Sequence, residues 1–432
     1  MSEADFDAIV VGSGCAGPIA ALELARAGKS VLVVERGEFA GSKNMTGGRI
    51  YTHSLRKVFD EESLATAPFE RKVVRERICL MSPDAEFTAD FSSEPMNDPA
   101  SESYTVLRAP FDQWLAEQAE EAGAEYICGI PADAVLKDGN RVCGIRAGED
   151  EITSDVVILC DGVNSLLTEQ ALGYKRPPAS QVAVGIKQTF ALPASVITDR
   201  CLANSDDEGM AMLMAGDATK GSFGGGFLYA NKESISLGIV AGIEAVAKSD
   251  YPIYEMMEEL KKHPTIAAII RDGELVEHSG HMVPEGGLGI MPPLVGDGVL
   301  AAGEAAMMCI NFGYAVRGMD YAIAAGQMAG QAAVKALDAG DVSAAGLSGY
   351  TQALENSFVM KDLRGFAGEP EFLEHFDRMF KGYPELVRDI MNDMFIIDGS
   401  PAKHIKDIVK PKLKEIGYMN LLRDVRGAMK AL

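Results

Sequence analysis

The chain has 432 residues, 47% of them hydrophobic and 24% charged, with a formal net charge of −23 at pH 7. Its length predicts two or three domains or subdomains, and its acidic balance argues against a nucleic-acid-binding protein while favouring cationic or metal-rich partners. The sequence contains no stretch of about 18 consecutive apolar residues, so it predicts no membrane-spanning helix.

The N-terminus and the cysteines indicate the cellular compartment. The chain begins MSEADFD, which is acidic and leads straight into an apolar run, so we expect no secretory signal. Its seven cysteines are scattered and include no C-x-x-C pair. This spacing predicts reduced thiols in the cytoplasm and argues against a disulfide framework, a zinc site or an iron–sulfur site.

A strand–helix–strand unit is predicted between Phe6 and Glu35. The apolar run Ala8 to Val11 predicts a buried parallel strand, Ala20 to Ala27 a helix, and Val31 to Val34 a second strand. Between the first strand and the helix the sequence reads G-x-G-x-x-G, which is typical of a dinucleotide-binding turn. A chance glycine turn is the alternative, but the flanking elements favour the dinucleotide site.

Each residue of this motif has its own predicted role. Gly12 allows a tight turn, Gly14 lets a pyrophosphate approach the backbone, and Gly17 lets the helix pack on the sheet. The helix N-terminus offers N–H groups to the phosphates. Glu35 follows the second strand, where a carboxylate can bind both ribose hydroxyls and would repel the 2′-phosphate of NADP.

The next segment mixes loops with short elements. Arg36 to Ser54 is glycine-rich and predicts a loop that covers the cofactor or is simply solvated, and residues 55–103 predict a small β excursion. Tyr104 to Leu107 predicts a strand and Phe111 to Ala122 a helix. Arg108 lies at their junction, where it would bind a phosphate or form an exposed salt bridge.

Further strands lead to a second candidate binding edge. Val135 to Ala147 predicts a β-hairpin that turns at residues 138–140, and Ser154 to Cys160 predicts another buried strand. The turn Asp161 to Ser165 then begins a helix. This turn would lie at the carboxyl edge of a parallel sheet, where open α/β folds bind their ligands.

Alternating apolar and polar residues from about Pro177 predict an antiparallel second domain. Within it, Ser222 to Tyr229 contains three successive glycines, which indicate either close approach of a ligand or a glycine bulge. Tyr251 to Arg271 is predicted to be helical. We therefore place a first segment of the dinucleotide-binding domain at 1–176, a substrate domain at 177–275, the return of the first domain at 276–350, and a helical C-terminal region at 351–432.

The returning segment and the C-terminus complete the prediction. Gly298 to Gly303 predicts a final strand, and Tyr321 to Leu337 a long buried helix. Leu413 to Leu432 predicts one helical face of apolar residues, bordered by Lys and Arg and interrupted at Gly417. Residues 401–432 carry eight Lys and Arg and three Asp and Glu, a local +5, which leaves −28 for the other 400 residues.

The identity of the dinucleotide depends on the later turns, because the first motif fits NAD as well as FAD. Asp161-Gly162, Gly303-Glu304, Arg108 and Gly318-Met319-Asp320 resemble the FAD-contacting motifs of glutathione-reductase-like flavoproteins. Across nearly the whole chain, the segments GSKNMTGGRIYTHS, VLRAPFDQWLAEQAEEAGA, VILCDGVNS, GGGFLY, LVGDGVLAAGEAA and YPELVRDIMNDMFIIDG resemble electron-transfer-flavoprotein:quinone oxidoreductases, and in particular their FixC (EtfC) branch.

This resemblance implies an α/β, glutathione-reductase-like FAD-binding Rossmann fold with an inserted antiparallel-sheet substrate domain and a helical C-terminal region. It implies FAD in an extended pose and a quinone headgroup beside the backbone of Gly224 and Gly225. The implied FAD contacts are Gly12, Ser13, Gly14, Cys15, Ala16, Gly17, Glu35, Arg36, Gly47, Gly48, Arg108, Asp161, Gly162, Gly303, Glu304, Gly318, Met319 and Asp320. The last three would stabilise negative charge on reduced flavin through their backbone.

Two departures from the family pattern matter. The family usually has Asp where this chain has Glu304, and the extra methylene displaces the carboxylate. Full-length quinone oxidoreductases carry a C-terminal ferredoxin-like domain with four cysteine ligands, whereas this chain has no cysteine after Cys309. The FixC branch instead has a separate ferredoxin-like subunit, FixX, beside the two electron-transfer flavoprotein subunits, FixA and FixB.

The resemblance therefore implies an FAD enzyme that takes electrons from an electron-transfer flavoprotein and reduces membrane quinone, within an NADH-oxidising, electron-bifurcating complex. The chemistry lies on the flavin, so no catalytic side chain is predicted. No metal site is expected either, although His278 and His281 lie three residues apart. The alternatives are a geranylgeranyl-reductase-like or aromatic-hydroxylase-like flavoenzyme, and a scaffold subunit whose FAD never turns over.

The localisation prediction is cytoplasmic, with peripheral contact at the inner face of the cell membrane as an option. The basic C-terminal helix would meet anionic lipid, dock an acidic ferredoxin-like partner, or pack on its own domain. The sequence leaves these three roles open.

Overall fold

A computed structural model describes residues 4–44 and 48–431 of the chain. The strands in chain order are β1 (Phe6–Val11), β2 (Val31–Glu35), β3 (Arg49–Tyr51), β4 (Phe69–Met81), β5 (Glu86–Phe91), β6 (Ser103–Val106), β7 (Glu125–Cys128), β8 (Ala132–Asp138), β9 (Arg141–Ala147), β10 (Asp150–Leu159), β11 (Val182–Ala191), β12 (Glu208–Gly216), β13 (Gly224–Ala230), β14 (Ser234–Gly242), β15 (Glu274–Pro284), β16 (Val295–Gly296), β17 (Val299–Ala301), β18 (Ile310–Asn311) and β19 (Val316–Arg317).

The helices alternate with these strands in the first half of the chain and dominate its end. They are α1 (Gly17–Arg26), α2 (Glu61–Ala65), α3 (Arg108–Glu121), α4 (Leu166–Leu172), α5 (Ala194–Cys201), α6 (Ile243–Lys248), α7 (Ile253–Lys262), α8 (Pro264–Ile270), α9 (Met319–Ala339), α10 (Gly349–Asn356), α11 (Phe358–Gly365), α12 (Glu369–Glu374), α13 (Asp377–Phe380), α14 (Gly382–Phe395), α15 (Ile405–Ile416) and α16 (Tyr418–Ala431).

The first sheet has the parallel core that the sequence predicts. Its main path runs β16-β17-β10-β1-β2-β7, with β1, β2, β7, β10 and β17 paired in parallel. The predicted hairpin is confirmed as β8 and β9, and β9 also pairs antiparallel with β10. Helices α1 and α9 pack against this sheet and bury a continuous apolar core.

The second sheet includes strands from outside the range 177–275 that the sequence predicts for the substrate domain. Its path runs β15-β11-β14-β13-β12-β4-β6-β3, with β5 paired to β4. Residues 49–106 therefore supply four strands to this sheet, because β4 pairs in parallel with β12. The segment 36–54 was predicted to be loop only, but it contains β3, which pairs antiparallel with β6.

The helix predictions are confirmed except at two breaks. Tyr251 to Arg271 forms α7 and α8, which are separated at His263-Pro264. Leu413 to Leu432 was predicted as one helical face with an interruption at Gly417, and the structure divides it there into two helices. Gly417 adopts φ +89 between α15 and α16, a conformation that only glycine enters without cost, so the two helices cannot form one continuous apolar face. Among the described residues, no helix is both long and apolar enough to cross a bilayer.

Candidate functional site

The glycine turn after β1 has three different environments at its three glycines. Gly12 has φ +97, and a Cβ there would collide with the carbonyl oxygen of Cys160. A Cβ on Gly17 would collide with the carbonyl oxygen of Gly12. At Gly14, by contrast, a Cβ would meet Asn44 Nδ2 at 3.5 Å and the Arg108 guanidinium at 3.7 Å, both ordinary contacts. Gly12 and Gly17 thus serve the fold, whereas the space over Gly14 is available to a ligand.

Glu35 lies at the end of β2 and is 8% exposed. Its Oε2 accepts a hydrogen bond from the Ser13 backbone N–H at 2.8 Å, and its Oε1 accepts one from the Gly37 N–H at 2.7 Å. Each carboxylate oxygen can accept a second bond. The carboxylate is therefore fixed beside the glycine turn, where its predicted contact with ribose hydroxyls is sterically open.

Arg108 is held by a partner that the sequence reasoning did not identify. Its Nε and terminal nitrogen donate to the two carboxylate oxygens of Asp112 at 2.9 and 2.8 Å. Asp112 is fully buried, and Asn44 also donates to it. The alternative of an exposed salt bridge at Arg108 is wrong, because its side chain is only 11% exposed. The i, i+4 spacing on α3 was the available signal.

Asp161 presents an unsatisfied oxygen at the carboxyl end of β10. Its Oδ2 accepts from the Leu167 N–H at 3.3 Å, while Oδ1 is buried with no hydrogen-bond partner among the described residues. Burial raises the pKa of this carboxyl to about 6. A buried polar atom without a partner is costly unless a ligand satisfies it. A bound dinucleotide would fill the open space over Gly14 and would give this oxygen a hydrogen-bond partner.

These groups surround one cavity of about 420 Å³. Most of the predicted cofactor contacts line it, together with residues that the sequence reasoning missed, including Asn44 and His281. The predicted contacts in its wall are Gly12, Ser13, Gly14, Cys15, Ala16, Glu35, Arg36, Arg108, Asp161, Gly162, Glu304, Gly318 and Met319. An adjoining cavity of about 700 Å³ shares Asn44 and Arg108 with it and extends over the second sheet.

The remaining predicted contacts lie elsewhere. Gly17 and Gly303 lie behind the cavity wall, and a Cβ on Gly303 would lie 3.0 Å from the Ala16 Cβ. Gly48 packs against the Tyr229 ring, while Gly47 lies outside the described residues. Asp320 is 1% exposed and does not line the cavity.

Glu304 and His281 join the two sheets across the cavity. Glu304 Oε2 lies 3.7 Å from Nε2 of His281, which comes from β15 of the second sheet. Both side chains line the cavity. The sequence reasoning considered His281 only as a metal ligand. Its alternation with Val283 on one strand face, opposite Gly185 and Ala183 of β11, is what directs it towards the first sheet.

The side chain of Asp320 serves the protein rather than the cavity. Arg317 Nε donates to its carboxylate at 2.9 Å, and His53 Nε2 lies 3.0 Å from the same oxygen. This network joins His53, which precedes a short 3₁₀ turn at residues 55–57, to the start of α9. Gly318 precedes α9, and a Cβ there would lie 3.5 Å from the Cys309 sulfur. The backbone role predicted for Gly318 to Asp320 remains a prediction.

Gly224 and Gly225 are needed by the sheet itself. Gly224 has φ +145, and a Cβ there would collide with the Val240 carbonyl oxygen. A Cβ on Gly225 would lie 2.7 Å from the Met214 carbonyl oxygen. Neither residue lines the two cavities described above. A larger side chain at either position would therefore distort the strands, and the quinone contact remains a prediction.

Comparison with known proteins identifies the family. Residues 369–432 match the profile of the ETF-QO/FixC family C-terminal domain, and residues 5–222 match an FAD-binding domain. The chain is 47% identical over 432 residues to the probable electron transfer flavoprotein-quinone oxidoreductase YdiS of Escherichia coli K12, covering 99% of both chains. It is 45% identical to protein FixC of the same strain, covering 98% of both.

This chain belongs to the ETF-QO/FixC family. It is accordingly an FAD-dependent electron-transfer oxidoreductase. The family profile covers α12 to α16, so the C-terminal helices are a family feature rather than an appendage of this chain.

Solved structures share the fold at low identity. A geranylgeranyl bacteriochlorophyll reductase-like protein of Thermoplasma acidophilum aligns with a TM-score of 0.72 and 20% identity, covering 98% of this chain and 99% of that one. A flavoprotein/dehydrogenase of Cytophaga hutchinsonii aligns with a TM-score of 0.63 and 16% identity, covering 98% and 96%. These likenesses confirm the mixed α/β architecture of FAD-dependent enzymes and carry no information on the substrate.

Proposed function

We propose that this ETF-QO/FixC family member accepts electrons from an electron-transfer flavoprotein and passes them through FAD to a membrane quinone. Support comes from the near full-length similarity to YdiS and FixC, together with the cavity between the two sheets. The single observation that carries the site assignment is that one cavity is lined by Gly14, where a Cβ makes only ordinary contacts, by Arg108, and by Asp161 with its unpaired Oδ1. We also infer that the FAD-binding domain has the glutathione-reductase-like type of Rossmann fold.

The residues of this chain would bind and orient the cofactor. The N-terminus of α1 and the Arg108 guanidinium would neutralise the pyrophosphate, and Glu35 would accept bonds from the ribose hydroxyls. Asp112 holds Arg108 in one orientation through its two carboxylate oxygens. Bound FAD would supply a flavin ring that takes up and releases electrons. No side chain of the cavity needs to act as a nucleophile.

The C-terminal region has features of a membrane-docking surface. On α16, Met419, Leu422, Val425 and Met429 are 54–83% exposed and recur every three or four residues. Arg423, Arg426 and Lys430 lie among them and are also exposed. A helix with an exposed apolar face and flanking cations binds the interface of an anionic bilayer. We infer that this face contacts lipid, where the quinone resides.

The partner assignments extend this proposal. We infer that two FixA/FixB-like subunits form the electron donor and that a FixX-like ferredoxin subunit supplies the iron–sulfur cluster. In the described residues, no group of three or more His, Cys, Asp and Glu side chains could hold a metal ion. The bifurcation scheme would then oxidise NADH on the flavoprotein pair and use this chain for the branch to quinone.

A substrate panel tests the proposal against its alternatives. The FAD-loaded protein is photoreduced without oxygen and mixed separately with a short-chain quinone, a geranylgeranyl substrate and an aromatic hydroxylase substrate. We expect rapid reoxidation by the quinone alone. Reduction of the geranylgeranyl chain, or aromatic hydroxylation after admission of oxygen, would favour the flavoenzyme alternatives. A flavin that none of these substrates reoxidises would indicate a scaffold subunit.

A further inference from the structure

One imidazole nitrogen near the start of α9 faces a hydrogen-bond donor and a hydrogen-bond acceptor at the same distance. Nε2 of His53 lies 3.0 Å from Oδ2 of Asp320 and 3.0 Å from Nη2 of Arg317. An ionised carboxylate can only accept a hydrogen bond, and a guanidinium can only donate one. Nε2 can therefore bond to one of these two partners at a time, and the presence of a proton on Nε2 decides which.

The network offers partners to both protonation states of His53. When Nε2 carries no proton, it accepts from Arg317, and the proton on Nδ1 faces the hydroxyl oxygen of Ser54 at 3.5 Å. When both ring nitrogens carry protons, Nε2 donates to Asp320 instead. Arg317 then keeps its bonds from Nε to Asp320 at 2.9 Å and from Nη1 to Asp362 at 2.8 Å. The side chain of His53 thus has two bonded states that differ by one proton.

The charged groups of this network are unbalanced when His53 is neutral. Two carboxylates, Asp320 and Asp362, share the single guanidinium of Arg317, so these three groups carry one net negative charge. Asp320 is 1% exposed, and solvent screens a buried charge much less than an exposed one. A proton taken up by His53 therefore neutralises charge beside a buried carboxylate.

Aromatic rings and one further cation border the network. The imidazole of His53 meets the Phe358 ring in a T-shaped arrangement with ring centroids 4.9 Å apart, and Lys57 Nζ lies 5.4 Å from the centroid of the Phe358 ring. The guanidinium of the network lies over the rings of Tyr51 and Tyr321. Burial raises the pKa of both phenols, so they stay uncharged near neutral pH. Among these residue types, histidine is the one that titrates between pH 5 and pH 8.

The network reaches from solvent to the wall of the cofactor cavity. The His53 side chain is 31% exposed, so protons reach it from water. Asp320 is the second residue of α9, and Gly318, Met319 and Ala322 on either side of it line the cavity. A charge on His53 is therefore separated from the cavity wall by one ion pair.

We propose that His53 acts through Asp320 as a positioning residue and takes up a proton when electrons enter the cofactor, an inference that rests on the cofactor placement within the proposed function. The two electrons come from reduced electron-transfer flavoprotein, and one proton from solvent forms an N–H bond at Nε2. When the electrons leave, that bond breaks and the proton returns to solvent. The positive imidazole attracts the added electrons, so the reduction potential of the bound cofactor depends on the protonation of His53.

The test compares the wild-type protein with His53→Gln and with His404→Gln, which replaces an exposed histidine before α15. The glutamine amide offers an oxygen to Arg317 and an N–H to Asp320, but it gains no proton. The reduction potential of bound FAD is measured against reference dyes from pH 5.5 to pH 8.5, which spans the titration of histidine. We expect the potentials of the wild type and His404→Gln to rise more steeply towards low pH than that of His53→Gln, and all three to be equal at pH 8.5.

A proton count gives an independent readout. The FAD-loaded protein is reduced chemically in a weakly buffered solution, and an indicator dye reports the protons that it takes up. We expect the wild type to take up more protons per FAD than His53→Gln near pH 6.5 and the same number at pH 8.5. Asp362→Asn leaves the imidazole in place and removes one carboxylate, so the steep part of its potential curve should move to lower pH.

These measurements separate the inference from the proposed function, because chemical reduction needs neither a quinone nor a partner protein. A wild type that shows the expected potential curve and does not reduce quinone refutes the proposed function alone. Potentials of the wild type and His53→Gln that have the same pH dependence refute the inference alone, whether the curves coincide or differ by a constant amount, as a merely structural role would give. If His53→Gln holds no FAD, an Asp362→Asn curve that coincides with the wild type refutes the inference.

Discussion

At the scale of single residues, the three motif glycines make different demands on the protein. Gly14 is the one position where a side chain would fill ligand space without meeting the backbone. We expect Gly14→Val to abolish FAD binding while the apoprotein keeps its melting temperature. The FAD released by acid from the purified protein measures the binding, with the exposed Gly349→Val as the control. Stoichiometric FAD in Gly14→Val would contradict the assigned site.

A substitution at Glu304 tests whether its carboxylate, which is one methylene further from the backbone than that of the family's usual Asp, still contacts FAD. Its carboxylate lines the cavity and faces His281 at 3.7 Å. We expect Glu304→Ala to weaken FAD binding by about 1–3 kcal/mol, the cost of a lost buried hydrogen bond. Calorimetric titration of apoprotein with FAD measures this loss, and the exposed Glu38→Ala serves as the control. Equal affinities would show that Glu304 points away from FAD and serves His281 alone.

Asp112 is a stability determinant as well as the support of Arg108. Removing one partner of a buried ion pair leaves an uncompensated charge, so Asp112→Ala should lower the free energy of unfolding by about 3–5 kcal/mol. The exposed pair Arg364–Glu355 is the matched comparison, and Glu355→Ala should cost no more than about 1 kcal/mol. Urea denaturation of the apoproteins measures both values. Similar losses in the two variants would contradict the burial argument.

At the scale of secondary structure elements, α16 can be tested by substitution better than by deletion. Its inner side supports the domain, because Asp424 accepts hydrogen bonds from Arg378 at 2.5 Å and from Tyr383 at 2.7 Å. Removing residues 413–432 would break these contacts. We expect Leu422→Asp with Met429→Asp to abolish flotation with anionic liposomes while leaving the melting temperature unchanged.

The lipid interaction should also depend on charge. Arg423→Glu with Arg426→Glu should weaken flotation and remove its salt sensitivity, since each cation near an anionic leaflet contributes about 1 kcal/mol. Unchanged flotation in both double variants would rule out lipid contact by this face. Loss of binding to a ferredoxin-like subunit instead would assign the face to that partner.

Helices and strands were predictable from the sequence where a short apolar pattern within the segment itself defines the element. The strands β1, β2 and β10 and the helices α1, α3 and α9 followed from apolar runs bounded by glycine or polar turns. The complete division into α15 and α16 did not, because the amphipathic pattern continues through Gly417, which the sequence indicates only as an interruption.

At the scale of the whole molecule, the sequence could not predict which strands pair within each sheet. The parallel pairing of β4 with β12 joins residues more than a hundred positions apart, and no local pattern encodes it. Arg71 on β4 shows why. It is fully buried, and its guanidinium donates to the backbone carbonyls of Asn231, Ala194 and Lys232. A charged residue normally indicates the surface, so its structural role was hidden.

The site was predictable to a similar extent. Most of the cofactor contacts that the sequence motifs implied lie in the cavity wall, because the turns that follow parallel strands meet at one sheet edge. The motifs missed Asn44 and His281, which line the cavity, and Asp112, which holds Arg108 without lining the cavity itself. They also could not distinguish a glycine that leaves space in the cavity, such as Gly14, from glycines needed by the sheet, such as Gly224 and Gly225.

The most direct test of electron transfer through this chain is a sequential-mixing experiment without oxygen. The FAD-loaded protein is first mixed with reduced electron-transfer flavoprotein and then with a short-chain quinone, while its flavin absorbance is recorded. We expect the absorbance to fall in the first step and to recover in the second, with one quinol formed per two electrons. No fall with the reduced flavoprotein, or no recovery with the quinone, would contradict the proposed function.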